Sequence, residues 1–148
     1  MMQQTRRSAT RIAALGAALG AAMGLALPAM AADGMTLALE DTDKREYYCQ
    51  AMFALTATGE AAFADVNGYF YVFVGDEQVG RSKGASFRFD EGRTTASATF
   101  ETPNAPCAEV DGYVFVVGAC MQGDGFADRN ACAAAIAPGG VVRQVRAR

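Results

Sequence analysis

Residues 64–75, ADVNGYFYVFVG, decide how the chain is read, and residues 108–118, AEVDGYVFVVG, nearly repeat them. Each stretch has Ala, an acid and Val, then Asn-Gly or Asp-Gly, then Tyr and an apolar run ending in Gly. Asn-Gly and Asp-Gly favour tight turns because both accept positive φ. Runs of Tyr, Phe and Val suit a pleated, half-buried surface. Two similar central strands, each entered from a turn, are predicted. Two copies are too few for a repeat architecture, and small β domains reuse such strings. Along the first strand Tyr69, Tyr71 and Phe73 point one way and Phe70, Val72 and Val74 the other. In the second, Tyr113, Phe115 and Val117 oppose Val114 and Val116. A strand with one wet face alternates apolar with polar, so something covers the second face or it is sticky. If the two aromatic rows share one sheet face, they form a patch of the kind that marks a partner site. Tyr69, Tyr71, Phe73, Tyr113 and Phe115 are therefore the candidate partner-contacting residues. The competing assignment buries both faces, one of them beneath the C-terminal segment.

Working outward, residues 35–40 form a first strand candidate and residues 46–58 a longer one. In the latter, Tyr47, Cys49, Ala51, Phe53 and Leu55 make the core face, and Tyr48, Gln50, Met52, Ala54 and Thr56 the other. Residues 75–84, GDEQVGRSKG, read as a polar, glycine-rich loop without the Gly-Lys-Ser/Thr ending of a phosphate cradle. Residues 85–90 put Phe87 and Phe89 inward, and residues 94–101 put Ala96, Ala98 and Phe100 inward, with a turn at 90–93. That pattern predicts a hairpin. Residues 131–137 are a short helix or strand, and 141–146 a last strand. Seven or eight short strands with turns every 8 to 14 residues predict an antiparallel β-sandwich, immunoglobulin-like in the broad sense. A small β-barrel is the alternative.

The N-terminus reads as a secretory signal peptide over residues 1–31. Arg6, Arg7 and Arg11 precede an apolar run over residues 12–27, and Ala29 and Ala31 supply the small residues before a cleavage point. Its Ala- and Gly-rich composition lacks the bulk of a membrane anchor. No apolar pair follows the twin arginines, and no Cys offers a site for a lipid anchor. Cleavage after Ala31 leaves residues 32–148 as a single domain, placed in the periplasm or outside the cell with no transmembrane segment. Losing the three signal arginines from 13 basic side chains leaves 10 against 16 acidic ones, a net charge of −6. That balance argues against nucleic acid as a partner. Arg143, Arg146 and Arg148 run against it, as a basic docking tail or a solvated last strand.

Cys49, Cys107, Cys120 and Cys132 all follow the cleavage point. An even count in an exported chain reads as two disulfides. Three connectivities are open and sequence cannot choose among them; Cys120–Cys132 with Cys49–Cys107 is preferred, the first closing a Gly- and Asp-rich loop. Zinc is disfavoured, since there is no close Cys pair and no His. Glu40, Asp41, Asp43 and Glu46 fit no calcium loop, and Asp124, Asp128 and Asn130 read as loop polarity.

The absence of His removes the commonest general base and every Ser-His or Cys-His pair. Ser82, Ser86 and Ser97 sit in no nucleophile-elbow context. Paired carboxylates remain as a route to hydrolysis, but no acid lies in an apolar setting. No catalytic residue, metal or cofactor is assigned, and the chain reads as a non-enzyme. In layout alone, Cys49, Gly68-Tyr69 with its apolar strand, and residues 84–87 with the hairpin resemble small periplasmic sandwich proteins that assist curli amyloid assembly. The resemblance implies a strand that pairs with another chain and holds β-prone subunits apart. The expectation is an accessory protein of the cell envelope that binds a protein partner through its Tyr/Phe strands. A self-associating structural subunit, or a chaperone-like accessory of extracellular fibre assembly, is the alternative.

Overall fold

The computed structural model describes residues 34–44, 48–103 and 107–148. The signal-peptide reading, Tyr47, Glu46 and Pro106 lie outside the described residues. The described chain is mostly β, in two sheets of mixed orientation that do not close into a barrel. It runs β1 (Met35–Lys44), β2 (Tyr48–Ala57), β3 (Asp65–Val74), β4 (Glu77–Arg81), β5 (Ala85–Arg88), β6 (Thr95–Pro103) and β7 (Gly112–Gln122). Then come β8 (Gly125–Phe126), α1 (Arg129–Ala134), β9 (Ile136–Pro138) and β10 (Val142–Ala147). One sheet has the order β6-β2-β1-β9 and the other β10-β7-β3-β4, with β5 also on β3 and β8 on β7.

The near-repeats of the sequence pair with each other. β3 and β7 run antiparallel, with Tyr69 opposite Val116, Phe70 opposite Phe115 and Val72 opposite Tyr113. Directly opposed residues share a face, so Phe70 and Val72 sit with Tyr113 and Phe115. All four are buried. They meet the core face of β2, where Cys49, Ala51, Phe53 and Leu55 are fully buried as the alternation predicts. Phe53 stacks on Phe70 at 4.4 Å between ring centroids and lies edge-on to Tyr113 at 4.9 Å. Phe100 of β6 stacks on Phe70 at 4.8 Å. These rings carry the contact between the two sheets.

Asn67-Gly68 is no turn. It lies within β3, where the ladder to β7 slips by one residue. A Cβ at Gly68 would run into the Val116 carbonyl oxygen and come within 2.7 Å of the Phe115 ring. The glycine is there so that this ring can lie across the backbone.

Three further expectations are corrected. The predicted hairpin is an arch: Arg93 N–H donates to the Asp90 carbonyl at 3.0 Å, so the turn forms, but β5 pairs with β3 and β6 with β2. Phe87 and Phe100 are buried all the same, because two strands facing across a core alternate as two neighbours do. Residues 75–84 contain strand β4 rather than a loop throughout. Beyond it, Ser82 closes the ladder to Phe70: its N–H donates to the Phe70 carbonyl, and its Oγ accepts from the Phe70 N–H, both at 2.9 Å. The sheets are also not purely antiparallel, and ten strands are present among the described residues, not seven or eight. β9 pairs parallel to β1, and β10 parallel to β7. A parallel return needs a long crossover, and here it contains β8, α1 and β9.

The disulfides are Cys49–Cys107 and Cys120–Cys132, with Cα–Cα distances of 4.8 and 6.5 Å. The second ties α1 to β7. The helix starts at Asp128, whose carboxylate accepts from the Ala131 N–H at 2.8 Å. The Asp128 considered for a cation is thus a helix cap, satisfying an amide that would otherwise be unpaired. Two disulfides are compatible with an exported, oxidising location. Among the described residues no helix is long and apolar enough to cross a membrane.

Tyr113 gives a pH test of this core. Burial pushes its phenol up to about 12 from the ordinary 10. The folded state then holds the proton more tightly than the unfolded state. Stability from this group is complete below pH 10 and is lost as pH rises through 12. Denaturant melts between those values should fall more steeply for the native protein than for Tyr113→Phe. Equal slopes would contradict the burial.

Candidate functional site

The face of β3 turned away from the core carries Tyr69, Tyr71 and Phe73, each half-buried. Their neighbours on β7 are Val116, Val114 and Gly112. Beyond β7, Gln144 and Arg146 of β10 stand beside Val114 and Val116. The two valines are 9% and 1% exposed. Long side chains stand in register on both flanks, Tyr69 and Tyr71 on one and Gln144 and Arg146 on the other. This accounts for an apolar pattern on both faces of the strands: one face meets the other sheet, and the second is roofed by its own neighbours.

That roof is built from arginine. Arg81 lies over the Tyr69 ring at 5.0 Å, Arg143 over Phe73 at 5.3 Å and Arg146 over Tyr71 at 5.9 Å. A guanidinium within about 6 Å of a ring centroid is held by the ring's negative face. Two strands bring the cations in, β4 and β10. Arg81 ends β4, where it stands opposite Tyr71. Arg143 falls at the register slip of β10 and crosses over Gly112, where any Cβ would collide with its guanidinium. Its Nη2 binds the Asp111 carboxylate at 2.6 Å, and that carboxylate also accepts from the Gly75 N–H at 3.1 Å. Arg146 projects from β10 one residue before its end.

The charge on this face is unbalanced. Arg143 is paired with Asp111, and Arg88 with Asp65 at 3.2 Å further along β3. Asp65 also accepts from Ser86 Oγ and Asn67 Nδ2. Among the described residues, Arg81, Arg146 and Arg148 have no carboxylate partner. All three are exposed. The Tyr69 and Tyr71 rings meet edge-on, 5.4 Å apart at 88°. A side-chain hydrogen bond with Tyr71 raises the Tyr69 phenol above its ordinary range, against the opposing charges of Arg148 and Arg81.

The five aromatic residues singled out from sequence thus divide. Tyr69, Tyr71 and Phe73 share the outer face, whereas Tyr113 and Phe115 lie between the sheets at 1% and 0% exposure. The two aromatic rows do not share a face, because the antiparallel register sets Tyr113 beside Val72 rather than beside Tyr71. The arginines over the rings were missed as a group. Arg143, Arg146 and Arg148 stood out as a basic tail, but only the parallel pairing of β10 with β7 brings them here, and Arg81 sat in a presumed loop.

A concavity lies elsewhere, where the connections β2–β3 and β5–β6 meet. This cleft of about 460 Å³ is lined by Gly59, Ala61, Phe89 and Arg93, with Glu60, Asp90 and Glu91 on its walls. All three acids are solvent-exposed, whereas an acid–base pair needs one carboxyl shielded from water. Among the described residues no group of three or more His, Cys, Asp or Glu is placed to hold a metal. Comparison of the chain with protein-family models, curated proteins and solved structures found no match.

Proposed function

We propose that this is an exported, non-enzymatic β-sandwich, immunoglobulin-like in the broad sense, that serves the cell envelope by binding a protein partner through Tyr69, Tyr71 and Phe73. One observation carries the reading: three aromatic side chains stand half-exposed on the outer face of a sheet, each beneath an arginine. Rings rich in contact area together with arginine are the side chains that dominate protein interfaces. Their positions are set by strand pairing rather than by a loop, so the face is preorganised and little ordering entropy opposes binding. Tyr113 and Phe115 support the surface from beneath, as core.

The test is capture from periplasmic and envelope extract. Oxidised protein serves as bait beside a Tyr69→Ser/Tyr71→Ser version, which removes outer rings and leaves Phe70 and Val72 in place. A prey retained by the native bait and lost by the variant is the expected result. Equal capture by both baits contradicts it. Capture of nothing, with light scattering that grows with concentration, turns the reading toward a self-associating subunit.

A further inference from the structure

We infer that the segment held on this face is an acidic stretch of protein chain in extended conformation, its carboxylates received by Arg81, Arg146 and Arg148. The inference rests on the reading just given, that the face is a partner surface, and it names the chemistry of the occupant.

Charge is the first ground. The full chain carries 16 acidic and 13 basic side chains, yet on this face three guanidinium groups stand without a carboxylate among the described residues. An unpaired cation patch on an otherwise acidic protein attracts and orients an anionic partner. The fork of a guanidinium accepts a carboxylate in two parallel hydrogen bonds. An arginine already seated on a ring loses less side-chain freedom when it does so.

Spacing is the second. Tyr69 and Tyr71 are two residues apart on one strand, about 7 Å, and each carries an unpaired arginine over its ring, Arg81 and Arg146. An extended peptide with an acid at every second position has the same repeat. A saccharide is disfavoured by the same geometry. It would need open ring faces to stack on, and here the faces are taken by guanidinium while Tyr69 and Tyr71 stand perpendicular.

The experiment measures anisotropy of three labelled extended peptides, Glu-Thr, Gln-Thr and Lys-Thr repeats, with the full protein oxidised. The Glu-Thr peptide is expected to bind about tenfold or more tighter than the Gln-Thr peptide. It should weaken strongly between about 30 and about 300 mM salt, as exposed charge pairs do. Arg81→Gln/Arg146→Gln should cost about tenfold in its affinity, with Arg81→Lys/Arg146→Lys recovering part, while thermal melts stay within the small range of surface changes. Equal binding of the Glu-Thr and Gln-Thr peptides overturns the inference, as does indifference to the arginine pair. Tighter binding of a polyuronate than of the Glu-Thr peptide also overturns it, in favour of a carbohydrate. So does salt-sensitive self-association without peptide, in favour of a second copy. If no peptide binds but capture from extract still depends on Tyr69 and Tyr71, this inference fails alone; if capture ignores those tyrosines, the underlying reading fails with it.

Discussion

Phe53→Ala is expected to lower the unfolding free energy by about 3–5 kcal/mol, the range for deleting a fully buried aromatic ring. Phe53 is fully buried and touches rings of both sheets, Phe70 at 4.4 Å, Tyr113 at 4.9 Å and Phe100 at 5.5 Å. Stacked and edge-on pairs contribute beyond the area they bury. The hole would open where the two sheets meet, and neighbours drawn from two separate sheets cannot close it without moving strands. Domains of this size are stable by only about 5–15 kcal/mol, so the loss is a large share of the total. Denaturant melts of oxidised protein at constant m-value give the number. Tyr71→Ala, on the outer face, should cost no more than about 1 kcal/mol. A loss at Phe53 that merely equals the loss at Tyr71 would contradict the assignment of inner and outer faces.

Removal of the Cys49–Cys107 bridge by Cys49→Ala/Cys107→Ala is expected to cost about 4 kcal/mol, and removal of Cys120–Cys132 about 3 kcal/mol. The order follows from sequence separation, 58 residues against 12. The longer the loop that a bridge closes, the more conformations it removes from the unfolded chain. Cys49, Cys120 and Cys132 are all at 0% exposure, so a small void accompanies either loss and does not set the order. Paired melts of the two double variants test the ranking. A Cys120/Cys132 variant markedly less stable than the Cys49/Cys107 variant would show that α1 is held by the bridge alone.

Which parts of this architecture were legible in the sequence follows from what a local pattern can encode. The core face of β2 was, because Cys49, Ala51, Phe53 and Leu55 alternate with less buried neighbours and any sheet would bury them. The cysteine pairing was only a preference: spacing left three connectivities open, and the short polar loop between Cys120 and Cys132 favoured the one observed. The pairing of β5 was not legible. Alternation reports which face of a strand is inside but not which strand lies beside it, so two strands facing across the core look like a hairpin. β4 escaped notice because EQVGR, an edge strand with little burial, needs no aromatic or β-branched run. The parallel partners of β9 and β10 depend on a crossover, which no turn signal describes. For the candidate site, period two separated Tyr69, Tyr71 and Phe73 from Phe70 and Val72 correctly. It could not tell which row would join Tyr113, because register is a relation between strands. The arginine over each ring is likewise a long-range fact: residues 143 and 146 reach β3 only across β7.

One aromatic row is core, and the other is the surface proposed to bind. Hydroxyl-radical footprinting read by mass spectrometry tests this division most directly, on the oxidised protein alone and in its captured complex. Tyr69, Tyr71 and Phe73 should be modified in the free protein, Tyr113 and Phe115 only slowly, and the first three should be protected in the complex. Modification of Tyr113 as fast as Tyr71, or an unchanged pattern at Tyr69, Tyr71 and Phe73 on complex formation, would contradict it.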